Sequence, residues 1–414
     1  MLEQGVRTAD PGAAAHLHAP TLIASAVAEM IVGATNQSMD SYDQAPAATL
    51  VEDLLVRRLA ELVGPGGGGS GVLTAGGTAS NLLGLLLARD RAAREAGADP
   101  RDHGLPPDAS GWAILASEAA HDSVRRAAAV LGLGEAAVTS VAVDERGAMD
   151  VGALDAALAA LRQDGRRPIA IVATAGTTDL GAVDPLAALA ARAAAAGAWF
   201  HVDAAVGSAL ALSPRLRALL DGIMAADSVT ADLHKLWWQP IGASALLVRD
   251  PAALEGVHHH SDYLDRAEDD GVLNLVGRSL DTSRRFDALK ILVGLRATGT
   301  RRLGEMVEHV VALAGRAARR VEERDDLELL APPTTVMVAF RWVPPGGGEP
   351  DAVDAANTAA QRRLFADGEA VIGRTRLRGR TALKLTLVNP LVGDDDVAAL
   401  LDRTARAAAA AWAA

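Results

Sequence analysis

Between residues 168 and 204 the chain changes its apolar rhythm twice. PIAIVATAG is a short β-rich run ending in small residues. Asp184 and Pro185 then stand as N-cap and first helical residue of DPLAALAARAAAAGAW, Gly197 closes that helix, and WFHVDAA follows as a second strand. With further strands expected near 112–116, 227–231 and 243–248, this order predicts an α/β fold with a mostly parallel sheet, whose strand carboxyl ends line one crevice. Beyond residue 275 the texture turns helical through LDTSRRFDALKILVGLRATG and LGEMVEHVVALAGRAARRVEE. A smaller α+β unit follows. VMVAFRWV and TALKLTLVN read as strands, PPGGGEP as a loop, and DDDVAALLDRTARAAAAAW as a closing helix with its acids at the positive end of the dipole. The predicted division is a short N-terminal segment over 1–49, contributing to dimer and substrate pocket, a large unit over 50–300 and a small C-terminal unit over 301–414.

Composition narrows the function. A chain of 414 residues, 50% hydrophobic and with a net charge of -12, has room for two or three cores and is a poor partner for nucleic acid or an anionic membrane. It has no cysteine, which excludes disulfides, thiolate metal sites and cysteine nucleophiles. The first twenty residues lack a basic start followed by an apolar run, and no uncharged stretch is long enough to span a bilayer, so a cytoplasmic protein is expected. His258, His259 and His260 are adjacent, point in different directions and have no acidic or thiolate partner at ligand spacing, so no metal is expected.

The 40 basic residues include only three lysines, Lys235, Lys290 and Lys384. Lys235 stands in VTADLHKLWWQP at a strand end, where a primary amine offers what guanidinium lacks, a nucleophile that forms Schiff bases. In GVLTAGGTASNLLGLLLAR, glycines lead into Thr78, Ala79 and Ser80 at a helix start, which reads either as an ordinary N-cap after a turn or as a phosphate cradle. Asp203 closes WFHVDAA and either caps a loop or faces the crevice as a carboxylate that keeps a ligand's ring nitrogen protonated. His121, in SEAAHDSVRRAA, and the Trp237–Trp238 pair have bland readings as a satisfied helix-end histidine and as core or wall.

Taken in order, TAGGTASN, SEAAHDSVRRAA, ATAGTTDLGAVDPL, HVDAA, DLHK, RRFDALK and GRTALKLTLVNP resemble the pyridoxal-phosphate-dependent group II amino acid decarboxylases. That resemblance, from about Pro20 to the C-terminus, implies the aspartate aminotransferase-like fold type I, a large seven-stranded-type sheet domain with a small C-terminal domain, and pyridoxal 5'-phosphate as cofactor. It implies Lys235 as the Schiff-base lysine, His234 beside it on the phosphate, and Ala79 and Ser80 holding that phosphate. His121 would stack on the pyridine ring, Thr178 would lie near it, Asp203 would pair with the ring nitrogen, and Ala205 would pack beneath. Asp232 stands where some relatives have asparagine. Lys235, His121 and Asp203 form the implied catalytic set, and the implied reaction is loss of the substrate carboxylate as carbon dioxide with release of an amine.

Two departures bear on the product and the substrate. Relatives acting on aromatic amino acids carry a mobile-loop tyrosine that returns a proton to Cα, and an ungapped match of LGEMVEHVVALA puts Met306 there. Since the only tyrosines are Tyr42 and Tyr263, the proton donor falls to His309, His121 or water, and an aldehyde-forming oxidative deaminase becomes the alternative. NQSMDSYDQAPAAT, residues 36–49, resembles the branch acting on diamino acids such as 2,4-diaminobutyrate, ornithine or lysine. Asp40 and Asp43 would meet a side-chain ammonium there, with Thr49 and Trp237 in the pocket; the other readings are solvated turn carboxylates, or an aromatic-substrate pocket around Trp237 and Tyr42. The resemblance also implies a homodimer with active sites at the two-fold interface, weakened by a short N-terminal clasp ahead of His18.

Overall fold

The computed structural model describes residues 5–65, 68–257 and 273–414 of the protein. His258 to His260 and Tyr263 lie outside the described residues. After a two-residue strand β1 (Ala13–Ala14) come helices α1 (Ile23–Thr35) and α2 (Pro46–Val63). Seven strands then build the large sheet: β2 (Ser70–Thr74), β3 (Trp112–Ser117), β4 (Val138–Val141), β5 (Arg167–Thr174), β6 (Trp199–Asp203), β7 (Ser228–Asp232) and β8 (Ser244–Val248). Their spatial order is β2-β8-β7-β6-β5-β3-β4, parallel throughout except for β8. All five residues of β6 and of β7 are buried, as expected where helices cover both faces of a parallel sheet.

The helices on the sheet are α2, α3 (Gly77–Glu95), α5 (Ser123–Val130), α6 (Val151–Gln163) and α7 (Leu186–Ala196), with the four-residue α4 (Pro100–His103) against α3 and α8 (Ala288–Thr298) against α1 and α2. The expected Asp184 cap of α7 is not formed. Asp184 is buried and accepts hydrogen bonds from the Met149 and Thr174 backbone N–H groups, both at 2.7 Å, so it ties β5 to the chain leading into α6. Gly197 does end α7, in the left-handed conformation.

The strand expected at 243–248 is present but runs the other way, so its amino end, at Ser244, is what reaches the crevice. Residues 233–243 are too short a connection for the crossover that a parallel return requires.

Helix α9 (Thr300–Glu322) joins this body to the second sheet and is shared between two cores. Leu303, Val307 and Val310 pack into the large core, Leu313, Ala317 and Val321 into the small one. Met306 sits half-buried against the large core in mid-helix. Met306 therefore lies inside a 23-residue helix and not in the expected loop.

Strands β9 (Leu327–Leu329), β10 (Met337–Trp342), β11 (Val371–Leu377) and β12 (Arg380–Thr386) pair antiparallel, backed by α10 (Pro350–Ala366) and α11 (Asp394–Ala413). The fifth strand of this sheet is β1, which pairs parallel to β11 with Ala13 opposite Val371. Two further bonds fasten the same stretch, Thr386 Oγ1 to the Ala15 carbonyl at 3.1 Å and Asn389 Nδ2 to the Ala9 carbonyl at 3.0 Å. The described part of the 1–49 segment is therefore divided: its start completes the C-terminal sheet, while α1 lies against α8.

Candidate active site

The carboxyl ends of β2, β3, β5, β6 and β7 open on a cavity of about 370 Å³, walled by Gly76, Gly77, Thr78 and Asn81 from the start of α3 and by residues of the loops that follow the strands. That volume is in the range of small-ligand sites, roughly 300–1,000 Å³. His121, Thr178, Asp203, Ala205, Asp232, His234 and Lys235 all stand in this wall. The topology accounts for the meeting, since each follows or ends a parallel strand and those ends lie on one side of the sheet.

Lys235 lies on the turn after β7, and its Nζ is 3.1 Å from Asp232 Oδ2. The same carboxylate oxygen is 3.6 Å from His234 Nε2, while His234 Nδ1 donates to the Ala243 carbonyl at 3.0 Å. Burial holds the His234 imidazole below its ordinary pKa, and the Asp232 charge opposes the fall. Asp203 ends β6, buried, with Oδ2 accepting from Asn81 Nδ2 at 2.8 Å and Oδ1 from the Ala205 N–H at 3.1 Å. His121 faces the cavity with Nδ1 turned back to Ser123, 2.9 Å from its Oγ. Thr178 is held from the small sheet: Lys384 Nζ donates to its carbonyl at 2.7 Å.

The other expected residues are placed differently. Ser80 is buried behind the wall, its hydroxyl 2.7 Å from Thr74 Oγ1 and 3.1 Å from Ser244 Oγ, and neither it nor Ala79 lines the cavity. Asp40 is hydrogen-bonded by Ser38 and by Ser283, and Asp43 by Ser41. Thr49 donates to the Ala45 carbonyl inside α2, and the Trp237 indole is in the core, donating to Ser208 Oγ at 3.2 Å. None of these four is in the wall of this cavity. His309 is exposed on α9.

Two residues that sequence reasoning did not single out are central: Asn81 and His201. Asn81 is an amide among leucines on the buried side of α3, and His201 precedes Asp203 by two on the same face of β6, a spacing that was available in the sequence.

The wall suits a phosphorylated aldehyde cofactor. Asp232 Oδ1 and Thr174 Oγ1 are buried without a hydrogen-bond partner, an arrangement that is costly unless something else satisfies them. Gly77 leaves open a place that a Cβ would fill, 2.9 Å from Asp232 Oδ2. As the first residues of α3, Gly77 and Thr78 have N–H groups with no carbonyl to meet within the helix, the usual cradle for an anion.

Comparison with known proteins agrees. The chain is 42% identical over 410 residues to an L-2,4-diaminobutyrate decarboxylase of Acinetobacter baumannii, covering 97% of this chain and 80% of that protein. It is 42% identical over 405 residues to the enzyme of that name from Rhizobium meliloti (strain 1021), covering 97% and 78%. The glutamate decarboxylase domain of a diaminobutyrate-pyruvate transaminase and L-2,4-diaminobutyrate decarboxylase from Vibrio parahaemolyticus superposes with a TM-score of 0.88 at 36% identity, over 98% of this chain and 82% of that one. The family model for the pyridoxal-dependent decarboxylase conserved domain matches residues 1–343, and the chain therefore belongs to the pyridoxal-dependent decarboxylases, whose cofactor is pyridoxal phosphate.

Proposed function

We propose that the protein decarboxylates L-2,4-diaminobutyrate, or a diamino acid close to it, to the corresponding amine and carbon dioxide. What carries the substrate class is that two relatives of that name each match 97% of this chain at 42% identity. When bound, pyridoxal phosphate supplies an aldehyde for the amine and a cationic ring that takes up the electron pair left as carbon dioxide departs.

The chain's own residues are assigned as follows. Lys235 is the primary amine that would hold the cofactor's aldehyde. Asp232, 3.1 Å away, would orient that amine. Asp203 keeps a positive charge on the ring nitrogen, because a buried carboxylate favours a cation beside it. Gly77, Thr78 and His234 hold the phosphate. His121, Thr178 and Ala205, all in the cavity wall, would surround the ring.

The protein acts in the cytoplasm as a homodimer. Supporting the dimer is an apolar face on two helices, where Ile23 is 84% and Met30 74% exposed, with Val27, Ile31, Leu50 and Leu54 beside them. A second copy of this chain covers it.

Lys235→Ala should lose both the absorbance of the bound cofactor and turnover; normal turnover in that variant would refute the assignment. Supplying 2,4-diaminobutyrate, ornithine, lysine and tyrosine in turn should give product amine from a diamino acid first, without hydrogen peroxide. Peroxide formed with the carbon dioxide would mean an aldehyde-forming reaction instead. Asp40→Asn combined with Asp43→Asn tests whether those carboxylates, outside the cavity wall, still draw a second ammonium: KM should rise more for the diamino acid than for tyrosine. Equal changes would remove them from the substrate site.

A further inference from the structure

The polar atoms beneath the cavity form a chain whose direction is fixed at its Asp203 end, where the carboxylate accepts from Asn81 Nδ2 and so leaves Asn81 Oδ1, an acceptor only, facing His201 Nε2. Trp199 Nε1 is a donor only, and it meets Ser228 Oγ at 2.8 Å. Ser228 then turns its own hydrogen to His201 Nδ1, also at 2.8 Å. With Nδ1 accepting, the neutral His201 ring carries its hydrogen on Nε2, which donates to Asn81 Oδ1 at 3.0 Å. Thr230 Oγ1 donates to the same oxygen at 2.7 Å. Burial keeps His201 neutral, its pKa lowered to about 4 against the pull of Asp203. The ring sits so close to α3 that a Cβ on Gly84 would lie 2.7 Å from it.

These contacts settle which end of the Asn81 amide is nitrogen, an orientation assigned from the whole network. Its two hydrogens go to Asp203 Oδ2 at 2.8 Å and to Ser123 Oγ at 2.9 Å. Ser123, accepting there, directs its hydroxyl hydrogen at His121 Nδ1, which also accepts from the Ser123 N–H at 3.2 Å. His121 Nδ1 therefore bears no hydrogen, and the neutral ring presents Nε2–H to the cavity. To act as a proton source the ring would need a second hydrogen, on Nδ1, against two donors.

We propose that Asn81 is a positioning residue with two outputs: one amide hydrogen holds Asp203 as a carboxylate aimed at the cavity, and the other, through Ser123, fixes His121 as the Nε2–H tautomer. It follows that His121 serves as a hydrogen-bond donor and does not return the proton to Cα. The first output rests on the reading of this cavity as the cofactor site; the second does not.

The test is made on the full chain labelled with 15N-histidine, with pyridoxal phosphate bound and after its removal. The His121 signals are identified by their loss in His121→Asn. In the parent, His121 should show a bare Nδ1 and a protonated Nε2 in both states. Asn81→Asp keeps the shape and removes both donors, so it should lose that pattern and raise the Kd for pyridoxal phosphate about tenfold or more. Ser123→Ala, which keeps the backbone N–H on His121 Nδ1, should weaken the pattern without abolishing it, with a Kd rise of only roughly threefold or less. If Asn81→Asp fails to fold, Asn81→Ser, left with a single hydroxyl hydrogen, must still lose one output. A retained His121 pattern in Asn81→Asp, or a Kd rise in Ser123→Ala equal to that in Asn81→Asp, would overturn the proposal. A parent with the expected His121 pattern that takes up no pyridoxal phosphate would sink the cofactor reading and leave the tautomer half standing.

Discussion

His201 is a fully buried imidazole whose surroundings favour the neutral ring, and this gives stability a pH dependence of known sign. Burial is the largest cause of its fall to about 4, from an ordinary 6.5. Between those values the unfolded chain binds a proton that the folded one refuses. The stabilisation is thus complete above pH 6.5 and is lost as pH falls towards 4, by of the order of 3 kcal/mol across the window. Asp184 works in the opposite sense. Burial raises its pKa from 3.8 to about 6 despite two backbone N–H bonds, so its contribution is present at low pH and fades as pH rises to 6. Urea unfolding at pH 7 and pH 5 should therefore show a smaller acid loss in His201→Gln than in the parent, and an equal loss would show that His201 does not titrate there. These two residues also mark where sequence reading stops. Lys235, Asp203 and His121 stood out through the short motifs around them, and the structure puts all three in one wall. Asp184 looks like a cap from its neighbours alone, and only the fold brings Met149 to it.

At the scale of elements, the alternation of strand and helix was legible wherever an apolar run had flanking turn residues, as in β5, β6 and α7. It was not legible where local pattern is silent: the direction of β8 follows from the length of its connection, and β1 is two alanines defined only by a distant partner. The loop carrying Thr178 depends most on such distant partners. Thr335 Oγ1 donates to the Gly181 carbonyl at 2.9 Å, Thr375 Oγ1 to Asp179 Oδ2 at 3.0 Å, and Lys384 Nζ to Asp179 Oδ1 at 3.2 Å as well as to Thr178. Gly181 itself has φ +64°, and a Cβ there would run into Thr335, so the loop's shape and its fastening are one arrangement. Lys384→Met removes the charged strut, which alone holds both Thr178 and Asp179, and should lower unfolding free energy by about 1–3 kcal/mol, measured with urea at pH 7. No change would mean that the two threonines suffice.

For the whole molecule, the exposed faces of α1 and α2 are the least explained surface in an isolated chain. Ile23→Asp combined with Met30→Asp places two charges there without disturbing either core, and sedimentation should then report a dimer for the parent and a monomer for the variant. An unchanged mass would move the contact elsewhere. Helix α9, with one end in each core, makes the two sheets dependent on each other, and the strand at residue 13 extends that dependence to the start of the chain. Its order of synthesis has a consequence. On the ribosome Ala13 emerges long before its neighbour at Val371, so the seven-stranded body is able to assemble while the earlier stretch waits unpaired for the later one.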